Sequence, residues 1–222
     1  MEVLVSDIKT KVRTVIDEIA PNDAQFLGTQ DEAELDTIIN NRLCEAVDFV
    51  HGGADRDLLA GDAYKVVSVG SGVSVDVTDM LRFISGKKTG WSRSVTELTI
   101  DGSEEYAIAL DEYVGASTDR PAALITLDES SGAAHRKLQL MPTGQTGKIF
   151  YIEKCEIKQG EEPVEENSEE EPETYDYVNI DKLMVDAVVN YLAGLVLMTL
   201  NDDRGENLIK LATNMIGVEE KG

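Results

Sequence analysis

The residues best suited to chemistry in this chain are sparse, and each candidate group fails on composition or spacing. There are two histidines, and neither lies in a pattern with serine or cysteine that would make a nucleophilic triad. His51 opens HGGADRD, where Asp55 and Asp57 could join it around a metal ion, but polar residues collect after a helix end in any case. Gly144–Lys148, GQTGK, has the outline of a phosphate loop. Ile149 stands where Ser or Thr would hold magnesium, and Pro142 takes the leading glycine position, so the motif fails twice. Val69–Val75 contains GSG without a third glycine opening a helix, which rules out a dinucleotide fingerprint. Paired carboxylates are too common among 43 acidic residues to discriminate anything. The expectation is therefore a non-enzymatic chain with no catalytic residue, no metal ligand and no cofactor.

Cys44 and Cys155 make no CxxC pair and sit in different regions, so neither a zinc site nor a disulfide framework is expected. That usage fits a reducing compartment. The opening MEVLVSDIKTKVRTVIDEI lacks the basic start, continuous apolar stretch and cleavage site of a secretory signal, so export is not expected.

One group has the chemistry of a protein interface rather than of a reaction. Trp91, the single tryptophan, lies in GWSRSVTEL beside Arg93 and close to Lys87 and Lys88, and together they form the one basic patch. Tyr106 and Tyr113 follow in SEEYAIALDEYV. Tryptophan, tyrosine and arginine anchor interfaces, so these six are the expected subunit or partner contacts, although a lone tryptophan in a strand is more often core than interface.

The charge limits the partners. The 43 acidic residues against 20 basic, net −23, argue against general nucleic-acid binding, which needs clustered Lys and Arg. Such a surface repels DNA, which suits a protein that DNA slides past, and also keeps a protein soluble.

The elements that position these groups follow from periodicity. Ile180–Leu200 reads as a central helix: Leu183, Val188, Leu192, Leu195, Val196 and Leu200 recur at helical steps, and Ala187, Val189 and Ala193 widen the apolar surface to most of the circumference. A membrane span is disfavoured because Asp181, Lys182, Asp186 and Asn190 would meet hydrocarbon, at about 2.5–3.5 kcal/mol or more for each ionised group. Ser6 or Asp7 can cap a first helix with Ile8, Val12, Val15, Ile16 and Ile19 on one stripe, stopped by Pro21. Thr29 and Glu32 have capping-box spacing for a second helix from near Gln30, striped by Leu35, Ile38, Ile39, Leu43, Ala46, Val47 and Val50. A last helix carries Leu208, Leu211, Ala212, Met215 and Ile216 on one side.

Beyond Gly61 the pattern is that of an antiparallel sheet. Tyr64–Val69 and Val73–Val77 flank Gly70-Ser71-Gly72 as an expected hairpin, and Met80–Ser85 and the Trp91–Ile100 region flank Gly86–Gly90. Ala122–Leu127, Arg136–Leu140 and Lys148–Ile157 complete the strands, with one short helix in Ser103–Val114. Gly160–Asp176 holds eight glutamates and two prolines with no basic residue, and is expected to be a solvated acidic linker rather than a calcium loop, whose spacing it lacks. The expected fold class is α+β: a helical bundle made from the N-terminal helices (1–60) and C-terminal helices (178–222), with an antiparallel β domain inserted at 61–159 and an acidic linker at 160–177.

The stretch from Leu81 to Leu127, LRFISGKKTGWSRSVTELTIDGSEEYAIALDEYVGASTDRPAALITL, resembles structural proteins of crAss-like and related tailed phages of gut Bacteroidales. The resemblance rests on Gly90-Trp91, Arg93, Val95-Thr96-Glu97, Glu105-Tyr106 and Arg120-Pro121, together with the two-helix beginning and the C-terminal helix. It does not extend to Gly160–Asp176. It implies a head-to-tail connector, a virion ring or adaptor of about twelve copies made in the host cytoplasm, which docks between portal and tail and lets DNA pass without binding it specifically. The alternative, from the residues, is an accessory module whose β domain recognises a glycan or a tail-fibre partner. The twelve aromatic residues do not cluster as the stacking platform such recognition uses.

Overall fold

A computed structural model describes residues 1–19, 32–128, 135–161 and 174–217. The protein is α+β, and the described chain divides into two compact units, Tyr64–Lys154 and a second one built from Met1–Ala63 with Cys155–Gly222.

The larger unit holds helices α1 (Val5–Ile19), α2 (Glu32–Gly53), α4 (Val185–Thr199) and α5 (Arg204–Met215). Ile8, Val12 and Ile16 of α1 lie four residues apart and are fully buried, as are Ile39, Leu43, Ala46 and Val50 of α2. These stripes close on α4, whose buried residues run from Val185 to Leu197 round most of its circumference. No described helix is long and apolar enough to cross a membrane. Outside this core, Phe49 of α2 stacks on Tyr191 of α4 with ring centroids 4.1 Å apart, and Asp36 of α2 pairs with Arg13 of α1 at 2.5 Å and with Lys9 at 3.5 Å.

Two features of this unit depart from expectation. The apolar run of α4 starts later than its sequence suggests, because the Asp181 side chain accepts the Leu183 N–H and its carbonyl accepts the Met184 N–H, forming a turn that leaves Leu183 exposed. The unit also contains a sheet. Strands β1 (Glu2–Leu4), β10 (Thr174–Asn179) and β9 (Lys158–Glu161) pair antiparallel in that order, so both ends of the expected acidic linker are strand. Residues 162–173 of that linker, and Thr29 and Pro21 as helix signals, lie outside the described residues.

α4 and α5 form a hairpin whose bend passes through Asn201 at φ +60°, a left-handed conformation that asparagine tolerates better than most residues. The two helices approach through glycine: a Cβ on Gly205 would lie 2.5 Å from the Gly194 carbonyl oxygen, and one on Gly194 would lie 2.8 Å from that of Gly205.

The smaller unit has two sheets, β2 (Lys65–Val69), β8 (Gly147–Glu153) and β4 (Met80–Lys88) in the order β2-β8-β4, and β3 (Val75–Asp76), β7 (His135–Met141), β6 (Ala122–Asp128) and β5 (Leu98–Ile100) in the order β3-β7-β6-β5. Val69, Phe83, Trp91, Leu138, Leu140, Ile149 and Tyr151 belong to one core between them. The glycine at 86 lets β4 approach β7 there, since its Cβ would come within 2.7 Å of Leu140.

The expected hairpin across Gly70-Ser71-Gly72 does not form. β2 pairs with β8 and β3 with β7, so the turn hands the chain from one sheet to the other. Trp91–Ile100 is likewise not a partner strand for β4: only Val95 bridges Gly86, and β5 runs parallel to β6. Helix α3 (Glu104–Leu110) is shorter than Ser103–Val114 and starts where the Ser103 Oγ accepts the Tyr106 N–H.

Candidate interaction surface

The six expected interface residues do not form one surface. Trp91 is only 5% exposed and belongs to the β-unit core. Lys88 is also buried, with Nζ donating to the Pro142 carbonyl at 3.2 Å, and burial pulls its ammonium below the usual lysine range. The basic patch is thus split, because the alternation of β4 sends Lys88 inward and Lys87 outward. Arg93 is exposed and lines a polar hollow of about 280 Å³ with Ser94, Thr96, Glu97 and Thr99. Tyr106 is half-buried, whereas Tyr113 is 90% exposed.

A different surface stands out by its chemistry. Pairing places Leu98 and Ile100 of β5 beside Ala123 and Ile125 of β6, and sets Ala123, Ile125 and Leu127 opposite Leu140, Leu138 and Arg136 of β7. One end of this face, with Ala123, Leu138 and Leu140, is core. The other end emerges: Ile100 and Leu127 are 65% and 64% exposed and, with Leu98, Ile125 and Arg136, line an open hollow of about 620 Å³. The chain then turns from Ile100 through Ser103 into α3, which has no buried residue. Ile108, Leu110, Tyr113 and Val114 add further exposed apolar area there. Scattered exposed aliphatics are ordinary, but Ile100 and Leu127 on one sheet face, with Ile108 and Leu110 on the short helix that follows, concentrate exposed apolar area in this unit.

Sequence reasoning missed this surface because Ile100, Ile125 and Leu127 have strand periodicity that reads as core. The pairing of β5, β6 and β7 leaves Ile100 and Leu127 exposed beyond Ile125, which still packs against the core. A second groove, of about 560 Å³, lies in the helical unit between Thr10, Val15, Val189, Leu211 and Met215.

The other chemical candidates resolve into structural roles. His51 is 2% exposed, and its Nε2 accepts the Asp181 N–H at 3.1 Å, so that nitrogen is committed to the backbone. Among the described residues, no group of three His, Cys, Asp or Glu is arranged to hold a metal ion. In GQTGK, Gly147 and Lys148 are paired in β8, and Gly147 is required because a Cβ would lie 2.5 Å from the Lys87 carbonyl oxygen of β4. Among the described residues, Lys65, Asp79, Glu153 and Tyr151 form an ionisable cluster. Lys65 Nζ donates to Asp79 at 2.7 Å and to Glu153, and the Tyr151 hydroxyl donates to Asp79 at 3.1 Å. Although burial opposes it, these partners hold the Lys65 ammonium above its ordinary range, and burial pushes the Tyr151 phenol up. A lysine fixed as a cation is a structural charge and not a base. No protein-family model matches the chain, and no curated protein does either.

Proposed function

We propose that this chain is a non-enzymatic assembly protein, a head-to-tail connector ring of the virion type that Leu81–Leu127 resembles, in which the N- and C-terminal helices form a bundle and the β unit is an insertion carrying a subunit contact. The observation behind this reading is the apolar surface of Ile100, Leu127 and α3, which is uncovered in the single chain and is of the kind that a neighbouring copy covers. A ring that closes by rotation needs two different surfaces on each subunit, one fitting into the other. In this reading the exposed apolar face of Ile100, Leu127 and α3 is one of them, and the groove beside Val189 and Leu211 in the helical unit is the other. The net charge of −23 suits a channel through which DNA passes without being held. The aliphatic lining of the hollow favours protein association over glycan stacking, for which an aromatic platform would be needed.

The experiment is negative-stain electron microscopy of the purified protein, alone and mixed with a portal protein. Rings of defined rotational symmetry in either sample support the connector, and rings only with portal identify templated assembly. A monomer in both samples overturns it.

A further inference from the structure

Cys44 and Cys155, far apart in sequence, meet in the fold. Cys44 lies on α2 one helical turn before Asp48, so the two side chains share a face. Asp48 Oδ1 accepts the Cys155 N–H at 2.6 Å. The Cys155 thiol donates to the Cys44 sulfur, which also accepts the backbone N–H of Ile157. The segment Cys155–Ile157 is thereby laid along α2 beside Cys44. Both are free thiols, and both residues are partly exposed.

We propose that Cys44 and Cys155 are a dithiol site that closes to an intramolecular disulfide when the chain meets a small disulfide such as oxidised glutathione. The site is independent of the assembly reading. The two donated hydrogen bonds favour the thiolate at Cys44, most of all the one from Cys155, against burial and the charges of Asp48 and Glu156. The Cys155 thiol is held up, first by that same hydrogen bond and then by burial. The roles follow from this asymmetry. The Cys44 thiolate attacks one sulfur of glutathione disulfide, forming a mixed disulfide and releasing one glutathione thiolate, which takes up a proton. Cys155 then gives up its proton to solvent and attacks the Cys44 sulfur, and the second glutathione leaves as thiolate and is protonated. Two protein thiols are oxidised and one glutathione disulfide is reduced to two glutathiones. The closed bond would tie α2 to the start of the returning chain and enclose the whole Tyr64–Lys154 unit in one covalent loop.

The test exposes the folded full chain to glutathione disulfide and follows free thiols, intact mass and linked peptides. The expected result is loss of both thiols, a monomer two hydrogens lighter, one peptide pair joining Cys44 to Cys155, and a rise in Tm of about 10 °C that dithiothreitol reverses, as a long closed loop implies. Cys155→Ser should accumulate glutathione on Cys44, while Cys44→Ser reacts far more slowly. Stable glutathione adducts on the wild type without the linked peptide, a disulfide between two chains, or thiols that persist until the chain is denatured would each overturn the proposal.

Discussion

The backbone N–H of Asp181 donates to Nε2 of His51 at 3.1 Å, joining the end of α2 to the turn that precedes α4. The same aspartate, fully buried, takes the N–H groups of Ala60 and Leu183 on Oδ1 and that of Gly61 on Oδ2. One residue thus ties the end of α2, the Ala60–Gly61 backbone and the turn before α4 together, through the hydrogen bonds its buried side chain accepts and the one its N–H donates.

The histidine makes the helical unit sensitive to acid. Burial is the largest influence on His51 and lowers its pKa from 6.5 to about 4, with Asp181 and Asp62 pulling the other way. The native state therefore holds a neutral ring while the unfolded chain binds a proton below 6.5, so stability is intact above that pH and falls as pH drops towards 4. A shift of this size is worth about 3 kcal/mol. Urea midpoints measured between pH 7.5 and about 4 should fall more steeply for the wild type than for His51→Gln, and parallel curves would contradict the assignment.

Glycine substitutions should change stability in opposite directions in two helices. Gly52 lies near the end of α2 with no atom within 4 Å of an added Cβ, so Gly52→Ala should stabilise by about 0.5 kcal/mol through helix propensity alone. The same propensity gain is available at Gly205, but there the methyl would sit 2.5 Å from the Gly194 carbonyl oxygen. Backbone does not give way as a side chain does, so the helices must part, and the cost of about 1–3 kcal/mol for overpacking outweighs the gain. Thermal melts of Gly52→Ala and Gly205→Ala should therefore move apart.

How much of this was legible in the sequence depended on how local each contact is. The Ile8, Val12, Ile16 stripe of α1 needs only its own period, and it appeared in the sequence. β1 did not: three residues carry no period, and their partner strand is β10, near the other end of the chain. Gly70-Ser71-Gly72 forms a turn but joins two sheets instead of closing a hairpin, because turn chemistry says that the chain bends and not which strand receives it. Residue type leaves Trp91 open between core and interface and puts Lys88 on the surface; the pleat of β4 turns Lys88 inward, and Trp91 joins the β-unit core. The Cys44–Cys155 contact and the His51–Asp181 bond depend on long-range folding and left no mark on local pattern.

The burial of Trp91 changes what its substitution should do. Removing a 5% exposed indole from the core around Phe83, Leu140 and Tyr151 costs about 3–5 kcal/mol, so Trp91→Ala should lower the Tm sharply. Arg93→Glu, at an exposed position, should leave it within about 0.5 kcal/mol of wild type. Circular-dichroism melts of the two variants compare them directly, and an unaffected Trp91→Ala would place the ring outside the core.

The proposed association surface gives the reverse pattern. Ile100 and Leu127 are mostly exposed in the single chain, so Ile100→Lys and Leu127→Lys remove little native packing, and each should shift stability by no more than about 0.5 kcal/mol. In an assembled ring the same lysines would be buried against a neighbour without a partner charge, a penalty of several kcal/mol at every interface. Sedimentation velocity of the double variant should therefore show monomers at concentrations where the wild type, alone or with portal, forms rings, while its melting curve stays close to wild type. Rings that persist in the double variant would move the subunit contact away from the β5–β6 face, and the helical groove beside Val189 and Leu211 would become the surface to alter next.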